Sequence, residues 1–492
     1  MYCNGPQPNG LAVSGGLRKI NTFGSNVDAA SPAEDVSPNG TQAYGQSEVS
    51  TAAIGPYVVE QWNDATGFFS PACSPPFKDQ LSGWGFSSNG GKTFIDEGGL
   101  PNSSCATSSW SGDPSVEAWA PGGTTYFYQS SLFSTFTGTN FGLLVALTAC
   151  KVSPPSTISC NPNPIVLAAN AGFNFEDKDF MSIDPVRGRL YVSFTDFTTG
   201  NNIDLFACDI ASNPGSPTCA GPLIVAPTPS NFCENEGAYP AVDLATGDIY
   251  VAYEHNWASN LTAFGPCASD PVQDRVNLVS GTCASPAATF PNGCSGPFKE
   301  ADVNITSMDG AFIPGYNRFP MNDFPRIAVS DPSGTVSIVW NDARFHLAGD
   351  ILLQSFDLNS LFPTPVQSVP VRINKATGGW HMLPALRNVD SAGGLNISFY
   401  GRASANTAVT NVYAAIDVSP LATATPGNVL VTTGSSDWNA VSSDIVPNFG
   451  DYTDNYVIAT GSAPFTQERL FVAWADGRLG DPQPFNANAL TS

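Results

Sequence analysis

One pattern recurs seven times along the 492 residues: an apolar strand leads to an Asp or Gly turn, and a second strand ends in aromatic, polar, Asp. The clearest copies are FMSIDPVRGRLYVSFTD at 180 to 196, YPAVDLATGDIYVAYEH at 239 to 255 and RIAVSDPSGTVSIVWND at 326 to 342. LPALRNVDSAGGLNISFYGR, from Leu383, and DNYVIATGSAPFTQERLFVAWADGR, from Asp454, follow the same plan. SEVSTAAIGPYVVEQWND, from Ser47, and PSVEAWAPGGTTYFYQS, from Pro114, are degenerate copies. Each copy alternates apolar and polar residues around a turn, which is the signature of a β-hairpin. A unit of this kind cannot bury its apolar face alone, so the repeats must pack on one another.

Repeat starts lie about 60 to 90 residues apart, room for four strands and their loops. A third strand often follows the hairpin, as in NIDLFACDI and GDILLQSFDL. The spacing predicts a seven-bladed β-propeller of four-stranded antiparallel blades. After FVAWADGR only 14 residues remain, so the last blade needs a strand from elsewhere. LRKINTF, near the N-terminus, reads like PVRINKA at 370 to 376, and the segment around Lys19, Ile20 and Asn21 is expected to complete the seventh blade. Such closure leaves the ring without an open edge. Residues 1–10 read as a loose arm and 11–492 as one domain, with 256–320 an elaborated, disulfide-containing insertion over one face.

Forty-two acidic against 19 basic residues give a net charge of −23, which repels nucleic acid and anionic membrane surfaces. No run of about 18 apolar residues occurs, so no membrane span is expected. MYCNGPQPNG lacks the basic and apolar regions of a signal peptide; secretion or surface display is expected with the export signal already removed. The cysteines point to an oxidising compartment. After Cys3 they fall into adjacent pairs: Cys73 with Cys105, Cys150 with Cys160, Cys208 with Cys219, Cys233 with Cys267, and Cys283 with Cys294. Local pairing is the economical reading, and Cys3 is left as a free thiol, an intermolecular link within a homo-oligomer, or a lipid attachment point.

SSNGGKTF, Ser87 to Phe94, fits the pattern Ser-x-Asp-x-Gly-x-Thr-aromatic, with Asn89 in place of Asp. The chain thereby resembles the sialidase-like superfamily of Asp-box, or BNR-repeat, propellers. The resemblance implies that Ser87, Asn89, Gly91, Thr93 and Phe94 build a structural turn on the rim of a blade. It also implies a ligand site at the channel mouth. A sialidase would need three arginines converging on a substrate carboxylate, beside a Tyr-Glu nucleophile pair and an Asp acid/base. The family's N-terminal Phe/Tyr-Arg-Ile-Pro motif is absent; FPRIAV, with Arg326, is its nearest echo. Arg344 and Arg478 occupy equivalent places in WNDAR and WADGR, which predicts repeated pairs with Asp342 and Asp476, and Arg402 in FYGR follows suit.

Residues just before each innermost strand should ring the channel mouth: Glu48, Glu117, Asp177, Asp179, Glu236, Asp323, His381, Asp451 and Asp454. No cofactor is required, but Asp177, Asp179, Glu236 and Asp323 are candidate ligands for a hard cation such as Ca2+. Asp179, Glu236, Asp323, Arg326, His381 and Asp451 are the candidate catalytic groups for glycoside chemistry. Glu48, Glu117, Arg326, Trp380 and His381 are the candidate ligand-binding set. The alternative for all these acids is local hydrogen bonding at strand starts. The expected function is an extracellular glycan- or protein-binding module, with a sialidase-like glycoside hydrolase and a structural subunit of a surface or filament assembly as the competing classes.

Overall fold

The computed structural model describes residues 22–33, 35–36, 40, 42–68, 80–137, 140–170, 172–198, 200–229, 234–257, 272–281, 290–291, 294–358, 362–458 and 468–491. Its strands form seven antiparallel sheets, one for each repeat. The innermost strands, blades I to VII in order, are Gln46–Ile54, Ser115–Trp119, Glu176–Asp184, Glu234–Val242, Arg326–Ser330, His381–Ala385 and Asp454–Ile458. Each pairs with the next strand of its own blade, so the chain runs outward through a blade before starting the next. The second strands show little of the buried/exposed alternation of a one-sided sheet. Thr335–Asp342 is buried along its whole length, because neighbouring blades cover both of its faces.

The ring closes through its N-terminal segment. Val27 and Asp28 pair with Asn486 and Phe485, making the outer strand of blade VII beside Gln483–Leu490. Gly24 N also donates to Asn488 O at 3.0 Å. Lys19, Ile20 and Asn21, like the arm 1–10 and Cys3, lie outside the described residues.

The stretch 256–320 is not all insertion. Gln273–Val279 and Lys299–Asn304 are the third and fourth strands of blade IV, the first of them paired in register with Ile249–Trp257 and the second with Gln273–Val279. QDRVNLV is too polar to announce itself as a strand, which is why it reads as loop. Only the part after Asn304 forms a long connection to blade V.

Disulfides join Cys150 to Cys160 and Cys208 to Cys219, each across a hairpin of directly opposed strands. Cys105 and Cys294 are also disulfide-bonded. Cys73, Cys233, Cys267 and Cys283 lie outside the described residues. At the Ser87 turn, Asn89 Oδ1 accepts from the backbone N–H groups of Lys92 and Thr93 at 3.1 Å, and Asn89 Nδ2 donates to Thr93 Oγ1 at 2.8 Å. Gly91 N donates to Ser87 Oγ at 3.0 Å, and Gly91 has φ +75°, where a side chain would be strained. All these groups bond one another across the turn between Ser82–Ser87 and Ile95–Gly99.

The repeated Trp-x-Asp-x-Arg segments are structural units. Trp340 Nε1 donates to Asp342 at 2.9 Å and Trp474 Nε1 to Asp476 at 2.8 Å. Arg344 and Arg478 close on the same carboxylates at 2.7 and 2.5 Å. Arg402 instead bonds Thr410 Oγ1 and the carbonyls of Pro314 and Thr407 while lying over Trp438. Arg344 also donates to Asn304 O and Arg478 to Asn26 Oδ1, so each of the three guanidiniums is committed to its own set of protein groups and they do not converge on one pocket.

Candidate functional site

A bulge repeats near the start of four innermost strands. The register slips between Ser47 and Ser50, Asp177 and Phe180, Glu236 and Tyr239, and Met382 and Ala385. The first of the two residues inside each slip has positive φ: Glu48 at 52°, Lys178 at 53°, Gly237 at 69° and Leu383 at 49°. Bulges of this kind turn a side chain away from its normal alternation. Non-glycine residues hold such backbone only when their surroundings over-determine it. For Glu48 and Lys178 the surroundings are each other: the ammonium of Lys178 and a carboxyl oxygen of Glu48 lie 3.6 Å apart across the mouth.

Lys178 is the hub. Its ammonium lies 2.9 Å from Asp451 and 3.0 Å from Asp113, with its side chain only 7% exposed. Arg318 adds a second cation 3.2 Å from Asp451. Glu48 also accepts from Asn63 Nδ2 at 2.9 Å and from Asp451 N at 3.0 Å. Burial opposes the charge on Lys178, but the surrounding carboxylates outweigh it and hold the ammonium well above its ordinary pKa. Burial alone would raise Asp113; Lys178 and hydrogen bonds to Glu48 and Asp177 reverse this and hold it well below the usual range. Asp177, which is only partly covered, is pushed up to about 7 by burial and by the charge of Asp113, with Lys178 acting the other way.

Deeper in the channel, Arg387 lies 2.5 Å from Asp454 and 3.3 Å from Glu117, and also donates to the Val116 carbonyl. Tyr456 donates to Glu117 at 3.3 Å, and Ser50 and Tyr239 donate to Asp454 at 2.8 and 3.4 Å. Arg326 packs its guanidinium 4.4 to 5.1 Å from the ring centres of Phe180, Tyr239 and Tyr452 and donates to Thr453 O. These side chains come from blades I, II, III, IV, V, VI and VII and the loop before blade VII, so the axis is filled by paired charges and rings.

The expected acids thus divide. Glu48, Asp177, Glu236 and Asp451 meet around Lys178 and Arg318, while Glu117 and Asp454 meet at Arg387. Asp179 accepts from Ser130. Asp323 accepts from Met308 N and Asn341 Nδ2, at the seam between blades IV and V. As a ligand set, Asp177, Asp179, Glu236 and Asp323 are not brought together; among the described residues only Asp323 belongs to a close group of carboxylates, with Glu254 and Asp309. His381 and Trp380 are buried, His381 against Phe399 with its pKa lowered by burial, and Trp380 donating to Ala405 O. Lys178, Arg318, Arg387 and Asp113 did not stand out in the sequence. A lysine inside the acidic run EDKD, just ahead of an apolar strand, is the one local signal that was there to read.

Burial raises a wider set of carboxyls: Asp28, Asp64 and Glu176 to about 8, Asp177 and Asp204 to about 7, and Asp35 to about 6. A carboxyl raised in the folded state binds protons that the unfolded chain releases. Its stabilisation is complete below the unfolded pKa and is lost as pH rises through the folded one. The melting temperature is therefore expected to be higher at pH 5 than at pH 8. A calorimetric profile that rises over that interval would refute this assignment.

Around the mouth, the surface is aromatic. Every exposed phenylalanine among the described residues, namely Phe68, Phe136, Phe141, Phe173, Phe175, Phe312, Phe319 and Phe345, lies in a loop or strand end at the mouth end of the blades. Phe312 and Phe319 stack with ring centres 5.0 Å apart and planes 9° apart. At the same end a cleft of about 320 Å³ opens between blades III and IV, lined by Thr228, Asn235, Tyr253, His255, Arg275 and Glu300 among others.

No protein-family model matches the chain, and no curated protein matches it. Among solved structures it is similar to an alpha-L-arabinofuranosidase of Fusarium graminearum complexed with arabinobiose, at 12% identity and TM-score 0.44, covering 95% of this chain and 98% of that one. An alpha-L-arabinanase of Penicillium chrysogenum matches at 12% identity and TM-score 0.44, covering 77% and 94%. A Trypanosoma rangeli sialidase matches at 11% identity and TM-score 0.39, covering 96% and 60%. The chain's own strand pairing establishes that it is a seven-bladed β-propeller, closed by its N-terminal segment.

Proposed function

We propose that this propeller is an extracellular glycan-binding module that takes a neutral, extended polysaccharide across its mouth face. The observation that carries this reading is the gathering of the eight exposed phenylalanines among the described residues at that face. They are spread over blades I, II, III and V and their connections, too wide for a small molecule but suited to a chain of rings. Flat aromatic faces offer apolar area at low conformational cost, and the adjoining cleft supplies amide, imidazole, guanidinium and carboxylate groups for hydroxyls. With a net charge of −23, anionic glycans are disfavoured.

Hydrolysis is less well supported. Paired glycosidase carboxyls stand about 5 to 9.5 Å apart to admit the sugar or a water. Here the carboxyls with divergent pKa values, Asp113 and Asp177, share a hydrogen bond, and Glu48 and Asp451 are engaged by Lys178. In a polysaccharide array paired with a chromogenic-glycoside screen, retention of at least one neutral polysaccharide and no turnover are expected. Phe312→Ser with Phe319→Ser should weaken that retention about tenfold, since both rings are exposed and touch the core little. No binding to any glycan, or turnover abolished by Asp177→Asn, would overturn the reading.

A further inference from the structure

Glu254, Asp274, Asp309 and Asp323 are all buried, with at most 1% of their surface exposed. One ligand atom each from Glu254, Asp309 and Asp323 lies within 4.8 Å of the others. Asp274 is the direct cross-strand partner of Glu254, so both side chains leave the same face of blade IV. Both carboxylate oxygens of Asp274 lack a hydrogen-bond partner, as does Oε1 of Glu254. Arg344, the cation whose field reaches Asp274, is already committed to Asp342. Carboxylates withdrawn from water in this number must be neutralised, by protons or by a bound cation.

We propose that these four side chains form a binding site for one calcium ion. Two oxygens on opposite sides of a calcium ion stand about 4.6 to 5.2 Å apart, so a shared ion is compatible with the observed spacing. The donors are all hard oxygens, with no cysteine or histidine in the group, which disfavours zinc. Glu254 and Asp274 belong to blade IV, whereas Asp309 and Asp323 belong to the connection to blade V. The ion ties that connection to the blade, and the connection carries Phe312, Arg318 and Phe319 onto the mouth face. The site stands on its own observations, independently of the glycan reading.

The test is calorimetric titration of the chelator-treated full chain with CaCl2, together with thermal unfolding with and without the ion. One calcium per chain is expected, with the midpoint raised by about 3 °C when the ion is in hundredfold excess over its dissociation constant. Asp274→Asn should abolish both effects. If that variant does not fold, Asp309→Asn, on the other side of the seam, should do the same. The absence of calcium binding by the native chain, an unchanged calcium affinity in either folded variant, or an equal response to Mg2+ would each overturn the assignment.

Discussion

Replacing Lys178 with methionine is expected to lower the free energy of unfolding by about 3–5 kcal/mol, the usual result of removing one partner from a buried ion cluster. The side chain is only 7% exposed and its ammonium lies against the carboxyl groups of Asp113, Asp451 and Glu48 at once. Arg318 reaches Asp451, whereas Asp113 is paired with Lys178 itself. Methionine nearly preserves the volume, so the loss would report charge rather than a cavity. The pH dependence sets the sign. Asp113 is held below its ordinary pKa, so its contribution is present above about pH 4 and lost as pH falls through its folded value. The gap between the native chain and Lys178→Met should therefore be widest at neutral pH and narrow toward pH 3. Urea unfolding at several pH values measures this. Adding Asp113→Asn to Lys178→Met should restore part of the loss, and a neutral-pH difference under about 1 kcal/mol would sink the hub assignment.

The second large effect is expected at Arg387. Its guanidinium is 3% exposed and joins Asp454 of blade VII to Glu117 of blade II. Arg387→Met should also cost about 3–5 kcal/mol, and Asp454→Asn in the same chain should return at least about 1 kcal/mol by removing the stranded charge. Arg478→Met is the control. Its fork on Asp476 is nearer the surface, at 18% exposure, and should matter by no more than about 1 kcal/mol. Equal losses at Arg387 and Arg478 in urea melts would mean that the axial network has no special weight.

The two arginine classes differ in how far they could be read in advance. Arg344 and Arg478 sit two residues beyond their partners Asp342 and Asp476, inside a motif that repeats, so the pairing is local and visible. Arg387 meets Ser50 and Val116 across 337 and 271 residues. Lys178 meets Asp113 across 65 residues, and no periodicity encodes which acid it will find. The ring of mouth acids was legible as a recurrent position, but its chemistry was not. The expectation of a ligand set at Asp177, Asp179, Glu236 and Asp323 treated them as one group, whereas each finds different partners: Asp177 meets Lys178, Asp179 accepts from Ser130, and Asp323, in the connection ahead of blade V, accepts from Asn341.

Closure shows the same division. That the last blade needed a strand from the N-terminal end followed from counting residues after Arg478. Which residues supply the described pairing, Val27 and Asp28, did not follow, because a two-residue strand carries no pattern. By itself, the sequence determined the blades, their number, the hairpin disulfides and the turn at Ser87, because each depends on residues a few positions apart. Only the tertiary structure decided which charges neutralise one another at the axis, which carboxylates stay together at the seam of blades IV and V, and where the phenylalanines gather. Those outcomes depend on seven strand starts, scattered along the chain, being carried to a single end of the ring.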